Sequence, residues 1–168
     1  MPRTRRFLTW TAAALAVLLV AVAVLGTWTA RRSFPETRGS IEIDGLRGPV
    51  EVLRDANGIP QIYAADAEDL FRAQGFVHAQ ERFYEMDFRR HVTAGRLAEL
   101  VGESGLEADV FTRSLGWYEV AAEEMVLLDT DTRRYLQAYA DGVNAYLEGR
   151  DAGELSLEYA VIGLTGPD

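Results

Sequence analysis

A chain of 168 residues with no cysteine and a formal charge of −9 excludes several chemistries at once. Without cysteine there is no disulfide, no thiolate nucleophile and no sulfur-ligated zinc. An acidic chain also lacks the basic face that binding to nucleic acid requires, so no nucleic-acid partner is expected. All seventeen basic residues are arginine, a composition bias to which no catalytic meaning attaches.

The N-terminus carries Arg3, Arg5 and Arg6, then an uncharged run from Phe7 to Ala30, closed by Arg31 and Arg32. As a helix this run is about 36 Å long, against about 30 Å for the hydrocarbon core of a bilayer. Trp10 and Trp28 fall near its two ends, where interfacial aromatics are expected. Cleavable signal peptides have a shorter apolar region, about 7–15 residues, before a small-residue cleavage site. Here Ala21-Val22-Ala23 lies inside the run, and Trp28-Thr29-Ala30 begins with a bulky residue. Residues 1–32 therefore read as an uncleaved signal anchor with a transmembrane helix over 7–30, in preference to a cleaved signal peptide. The expected location is the cell membrane, single-pass, with the acidic main domain extracytoplasmic. Residues 33–39 read as a linker containing Pro35.

The exported part opens with strand signals. Ile41 and Ile43 alternate with Glu42 and Asp44, and Gly45 to Gly48 makes a turn. Val50, Val52 and Leu53 follow, then the turn pair Asn57-Gly58, both tolerant of positive φ. Ile59, Ile62 and Tyr63 form a third strand, with Pro60 confined to its start or an edge. Two consecutive hairpins are predicted. At Asp66 the period changes, with Asp66 as N-cap and Glu68 and Asp69 in the first turn. One apolar stripe runs Leu70, Ala73, Val77, Gln80, Tyr84, and its neighbour runs Phe76, Ala79, Phe83, Met86. So wide a surface predicts a central, largely buried helix. Thr93 to Gly95 ends it, and a short helix follows up to Gly102. A further helix is predicted over Ala108–Val126 with a break around Gly116. The last has Leu136, Tyr139, Ala140, Val143 and Leu147 on its apolar stripe and Gly149 as terminator. Leu155 to Leu164 is a further apolar stretch, and a chain that stops just after it reads as a fragment. The fold class is α+β: a transmembrane helix, β-hairpins, then mainly helices.

Candidate chemistry is sparse. His78, Glu81 and Glu85 share one helix face, but a single helix supplies too few convergent metal ligands. A solvated, ion-paired stripe including Glu85–Arg89 is the simpler reading. Gln80 falls inside an apolar stripe, and a buried amide needs partners, so it is expected to hold a neighbouring loop or strand. Phe71, Phe76, Phe83, Tyr84 and Phe88 read as core, with part available to line an apolar pocket. Ser40 after Gly39 is a weak candidate for an N-terminal serine exposed by cleavage. No residue is assigned a catalytic, cofactor-binding or metal-binding role.

Taken together the segments resemble the start of the penicillin acylase family of N-terminal-nucleophile hydrolases. The similarity runs through Val52-Leu53-Arg54-Asp55-Ala56-Asn57-Gly58-Ile59-Pro60 and Ala73-Gln74-Gly75-Phe76-Val77-His78-Ala79-Gln80-Glu81-Arg82. It continues through Ala94-Gly95-Arg96-Leu97, Arg113-Ser114-Leu115-Gly116 and Tyr139-Ala140-Asp141-Gly142-Val143-Asn144-Ala145-Tyr146-Leu147. One departure is Gln61, where many relatives have histidine, so no role is carried onto that position. The resemblance implies that 40–168 is the N-terminal part of a penicillin-acylase-like domain, a piece of a four-layer αββα fold. It implies a self-cleaving precursor whose nucleophile heads a second chain, with that residue's own α-amino group as base. This chain's partners are then the remainder of its precursor, the membrane through 7–30 and, in the complete enzyme, a small N-acyl substrate such as a β-lactam side chain or an N-acyl homoserine lactone. Calcium is an expectation for the complete enzyme, with no ligand assigned in this chain, and the chain alone is expected to be inactive. The residues leave open one alternative, a membrane-anchored helical binding module without catalysis, or a decayed acylase.

Overall fold

The computed structural model describes residues 2–163. Helix α1 (Pro2–Arg32) contains the predicted 7–30 run and continues through both closing arginines. After the linker come strands β1 (Glu51–Arg54) and β2 (Pro60–Tyr63), then helices α2 (Ala67–Ala94) and α3 (Ala98–Val101) and a 3₁₀ turn (Gly102–Gly105). Helices α4 (Leu106–Leu115), α5 (Trp117–Glu124), α6 (Thr130–Leu147), α7 (Ala152–Leu155) and α8 (Leu157–Ile162) complete the described chain. The end of the last predicted apolar stretch, Leu164, and the Gly166-Pro167-Asp168 terminus lie outside the described residues.

One hairpin forms where two were predicted. β1 and β2 pair antiparallel, with Val52 opposite Ile62 and Arg54 opposite Pro60. The Ile41–Ile43 segment has no strand partner, for a specific reason. The predicted turn after it is drawn to α2 instead of closing a hairpin: the backbone amides of Arg47 and Gly48 donate to the buried carboxylate of Asp69 at 3.1–3.2 Å. Ile43 instead packs its side chain against the core. The hairpin turn also differs from a two-residue Asn-Gly turn. Only Gly58 takes positive φ (80°), and the Asp55 side chain accepts from the amides of Asn57 (2.8 Å) and Ile59 (2.9 Å).

The helix boundaries follow the cap chemistry. The Asp66 carboxylate accepts from the amides of Glu68 (2.8 Å) and Asp69 (3.2 Å), satisfying first-turn donors that have no partner inside the helix. The amide of Asp69, then that of Glu68, and Arg47 hold the Asp66 carboxyl below the usual carboxylate range. Gly95 closes α2 in the left-handed conformation (φ 65°), and Gly116 (φ 68°) separates α4 from α5 at the predicted break. Inside α2 the backbone leaves helical geometry at Arg82 (φ −145°, ψ 30°), a bend with no proline or glycine beside it.

The core lies between α2 and α6. Phe76, Ala79, Phe83, Tyr146, Leu155 and Tyr159 form one buried cluster, with the Phe76 and Tyr146 rings edge to face at 5.4 Å. The buried line of α6 is Ala138, Gly142 and Tyr146, which corrects the predicted stripe by one position. Leu136 and Ala140 of that stripe are exposed. The reason is a close crossing of backbones. A Cβ on Gly75 would lie 2.0 Å from the carbonyl oxygen of Tyr139, and one on Gly142 would lie 1.9 Å from that of Arg72.

Adding a methyl at either glycine forces the helices apart. Overpacking of a core typically costs about 1–3 kcal/mol and sometimes more, and here the obstacle is backbone, so the upper end applies. Gly75→Ala and Gly142→Ala should each destabilise by about 3 kcal/mol in urea unfolding followed by circular dichroism. Gly48→Ala, whose new Cβ meets nothing within 4 Å, should stay within about 0.5 kcal/mol. Unfolding of Gly142→Ala at the wild-type midpoint would contradict the crossing.

Candidate functional site

A concave feature lies between α2 and the segment that precedes and includes β1. It encloses about 620 Å³ and is walled by Ile41, Ile43, Leu46, Val50, Val52, Phe76 and Val77. Size and lining suit a small apolar group. Val52 reaches it because the β1 face carrying Val52 and Arg54 turns toward α2. Phe76, Val77 and Gln80 reach it because they lie on the buried side of α2.

Two polar devices hold the cavity's shape. Gln80 is buried and donates from Nε2 to the backbone carbonyl of Glu36 at 3.1 Å, pinning the linker across one end. This is the loop-fixing role that its place in an apolar stripe predicts. Arg54 pairs with Glu81, and its guanidinium also reaches the Gly58 carbonyl at 3.3 Å, tying the hairpin to α2.

The other candidate residues are scattered. Ser40 lines the cavity, whereas His78 lies across α2 with Nδ1 3.0 Å from the Tyr139 hydroxyl. Glu81 is taken by Arg54, and the ion pair Glu85 makes is with Arg82 at 3.5 Å, in place of the predicted Arg89. The polar stripe is thus divided among three different partners. Among the described residues no cluster of His, Asp and Glu side chains has metal-site geometry. Gln61 accepts from the Tyr63 hydroxyl at 3.1 Å on the hairpin. Of the aromatics, Phe76 and Phe83 are core and Phe76 also walls the cavity, while Phe71 stacks on Tyr135 at 5.1 Å. Tyr84 and Phe88 are half-buried neighbours.

Sequence reasoning missed the buried acids. Asp87 accepts from Tyr159 Oη at 2.5 Å and from Arg90 Nε (3.1 Å) and a second guanidinium nitrogen (2.8 Å). His91 sits beside it, with Nδ1 2.8 Å from the Asp87 carbonyl oxygen. Asp109 accepts from the amides of Leu97 (2.6 Å) and Ala98 (2.8 Å), joining α4 to the start of α3. Their signal was weak: Asp87 follows Met86 of the apolar stripe and lies on neither of the two stripes read from spacing. Burial pushes the Tyr159 phenol well above the ordinary tyrosine value, helped by its bond to Asp87. Burial also raises Tyr139 and Tyr146. The arrangement can bind and hold shape; its polar groups are engaged with one another.

The fold is that of an acylase segment. The chain aligns with a thermostable penicillin G acylase from Alcaligenes faecalis at a TM-score of 0.63 and 30% identity, covering 71% of this chain and 64% of that one. The penicillin amidase family model matches residues 49–167, and the chain belongs to that family. It is 40% identical over 131 residues to penicillin acylase 2 proenzyme of Pseudomonas sp. (strain SE83), covering 78% of this chain and 17% of the proenzyme. It is 38% identical over 121 residues to the acyl-homoserine lactone acylase QuiP of Pseudomonas fluorescens (strain Pf0-1), covering 72% and 15%. It therefore spans under a fifth of the length of either relative. Amide hydrolysis is the chemistry these relatives share by name.

Tyr159 gives the α2–α8 contact a pH signature. Its pKa in the folded chain lies above the unfolded value of about 10. Its contribution to stability is complete below pH 10 and is lost as pH climbs beyond it. Tyr159→Phe should cost about 2 kcal/mol at pH 7, the range for a hydrogen bond to a charged group. It should also flatten the loss of stability between pH 10 and 11. Urea titrations at stepped pH check both, and an unchanged alkaline slope would remove Tyr159 from the account.

Proposed function

We propose that this chain is the anchored front of the first chain of an acylase precursor. The complete enzyme hydrolyses the amide of an N-acyl compound, with β-lactam side chains and N-acyl homoserine lactones as the substrate classes. The observation that carries this reading is the family match over residues 49–167, with relatives named for those two activities. The reacting groups belong to the remainder of the precursor. A serine, threonine or cysteine at the head of a second chain attacks the amide carbon, and its free α-amino group takes the proton. The proton passes to the amine, which leaves as the C–N bond breaks, and water then releases the acid from the acyl-enzyme. This chain supplies the scaffold, with α2, α6 and the pinned linker as a rigid support.

The surface supports a large partner. α5 has no buried residue, and Val110, Phe111, Trp117, Tyr118 and Val120 stand exposed along α4 and α5. An isolated soluble chain rarely leaves so much contiguous apolar surface in water. The hairpin also presents Leu53 and Tyr63 on its outer face. A second chain that lies over these faces would bury them. Calcium, where the complete enzyme uses it, would bind with ligands from that remainder.

α1 serves as the membrane anchor. An 18-residue window within its Phe7–Arg32 stretch reaches a mean hydropathy of 2.5, and no residue of that window is buried. At about 1.5 Å per residue the whole stretch exceeds the hydrocarbon thickness with room for tilt. Ion pairs from Arg32 to Asp151 and Glu154 tie its end to the domain.

The test is an acylase assay on two preparations. The purified 168-residue chain should release no product from N-acyl homoserine lactone or from penicillin. The complete precursor should cleave at least one of them after processing. Amide hydrolysis by the 168-residue chain would overturn the proposal.

A further inference from the structure

The last turn of α1 is joined to the two short C-terminal helices. Arg32 donates from one guanidinium nitrogen to Asp151 Oδ2 at 2.5 Å and to Glu154 Oε1 at 3.2 Å. Its guanidinium carbon lies 4.8 Å from the centre of the Trp28 ring. Asp151 and Glu154 form a capping box at the start of α7, so the acid pair is ordered by its own helix. α7 and α8 both lie against α1. Ser33 and Pro35 border the same groove as Leu155 to Glu158, and the Phe34 amide turns back to the Arg31 carbonyl at 3.2 Å.

Combined with the membrane reading of α1, on which this inference rests, these contacts fix a level. Trp28 marks the interface. Arg32, four residues on, is about 6 Å further along the axis. That lies within a headgroup layer about 5–7 Å deep on each side of the hydrocarbon. Elements touching that turn therefore sit at the lipid surface. They carry apolar side chains with no cover: Val161 is 76% exposed, Phe34 68%, Ile162 44% and Leu157 40%. Tyr159 on the same short helix is fully buried, so α8 is held by the core on one side while the other side is apolar and open. Arg32 offsets one of the two charges of Asp151 and Glu154, and Glu158 is the acid of α8.

We propose that Phe34 and the outer side of α8 form a second membrane contact, inserted at the headgroup–acyl boundary of the leaflet from which α1 emerges. The partner is the lipid surface, and the attraction is apolar, because one side of a short helix inserts there without crossing. The domain then lies on the bilayer in one orientation instead of swinging on its linker. The Arg32 ion pairs act as the brace that sets that orientation.

The absence of native cysteine makes the test direct. Nitroxide labels are placed singly through Leu18→Cys and Val161→Cys in the full chain, reconstituted in phosphatidylcholine–phosphatidylethanolamine vesicles. Collision with oxygen is compared with collision with an aqueous nickel chelate. Leu18 should be open to oxygen and closed to the chelate. Val161 should show a chelate accessibility several-fold below that of a free aqueous label, unchanged in high salt. Adding Asp151→Asn and Glu154→Gln should return Val161 to the aqueous profile while Leu18 stays in the hydrocarbon. An aqueous profile at Val161 beside a lipid-embedded Leu18 would overturn this inference and leave the anchor standing. Chelate access at Leu18 would overturn the anchor reading and this inference with it.

Discussion

Everything in the domain hangs on the place where α2 and α6 touch without side chains between them. Gly75 faces the carbonyl of Tyr139 and Gly142 faces that of Arg72, each too close for a single methyl. Bringing two helix backbones together in this way fixes their axial register to within a residue. The pairs that follow then advance together along both helices: Glu68 with Arg134, Phe71 with Tyr135, Arg72 with Asp141, and Phe76 with Tyr146. The two ion pairs are worth little by themselves, since exposed ion pairs contribute about 0–1 kcal/mol. Their alignment is a consequence of the crossing and not its cause.

Buried carboxylates take over where the backbone is irregular. Asp69 holds the loop before β1, Asp109 holds the start of α3, and Asp87 joins α2 to α8. A buried amide without a partner costs about 1–3 kcal/mol. In each loop case one side chain accepts from two backbone amides at once. Among the described residues no buried side-chain nitrogen or oxygen lacks a partner. This lets a segment with a single two-stranded sheet keep several turns of non-repeating backbone in fixed shape, including the wall of the cavity.

That chemistry also explains which parts of the fold were legible in the sequence. Local signals were readable: the Asp66 cap, the glycines at 95, 116 and 149, the apolar length of α1, and the demand of Gln80 for a partner. The Ile41–Ile43 strand was not, because the group that captures its neighbours' amides, Asp69, lies more than twenty residues further along the chain. The face of α6 was displaced because apolar spacing weights large side chains, whereas this interface is centred on a residue with none. At the site, Gln80 could be named from its stripe. The cavity could not, since its walls come from α2, β1 and an extended segment with no periodicity. The short resemblance motifs carried the family, because they span the hairpin, α2 and α6 in order.

The functional reading separates a scaffold from its chemistry. The described residues provide a braced pair of helices, an apolar recess and two large uncovered faces, and the reaction is assigned to groups contributed by the remainder of a precursor. The most direct measurement is to read the coding sequence past the codon for Asp168. The account predicts an open frame that continues through a spacer to a second chain headed by serine, threonine or cysteine. A stop codon at that point would contradict it and leave an anchored binding module in its place.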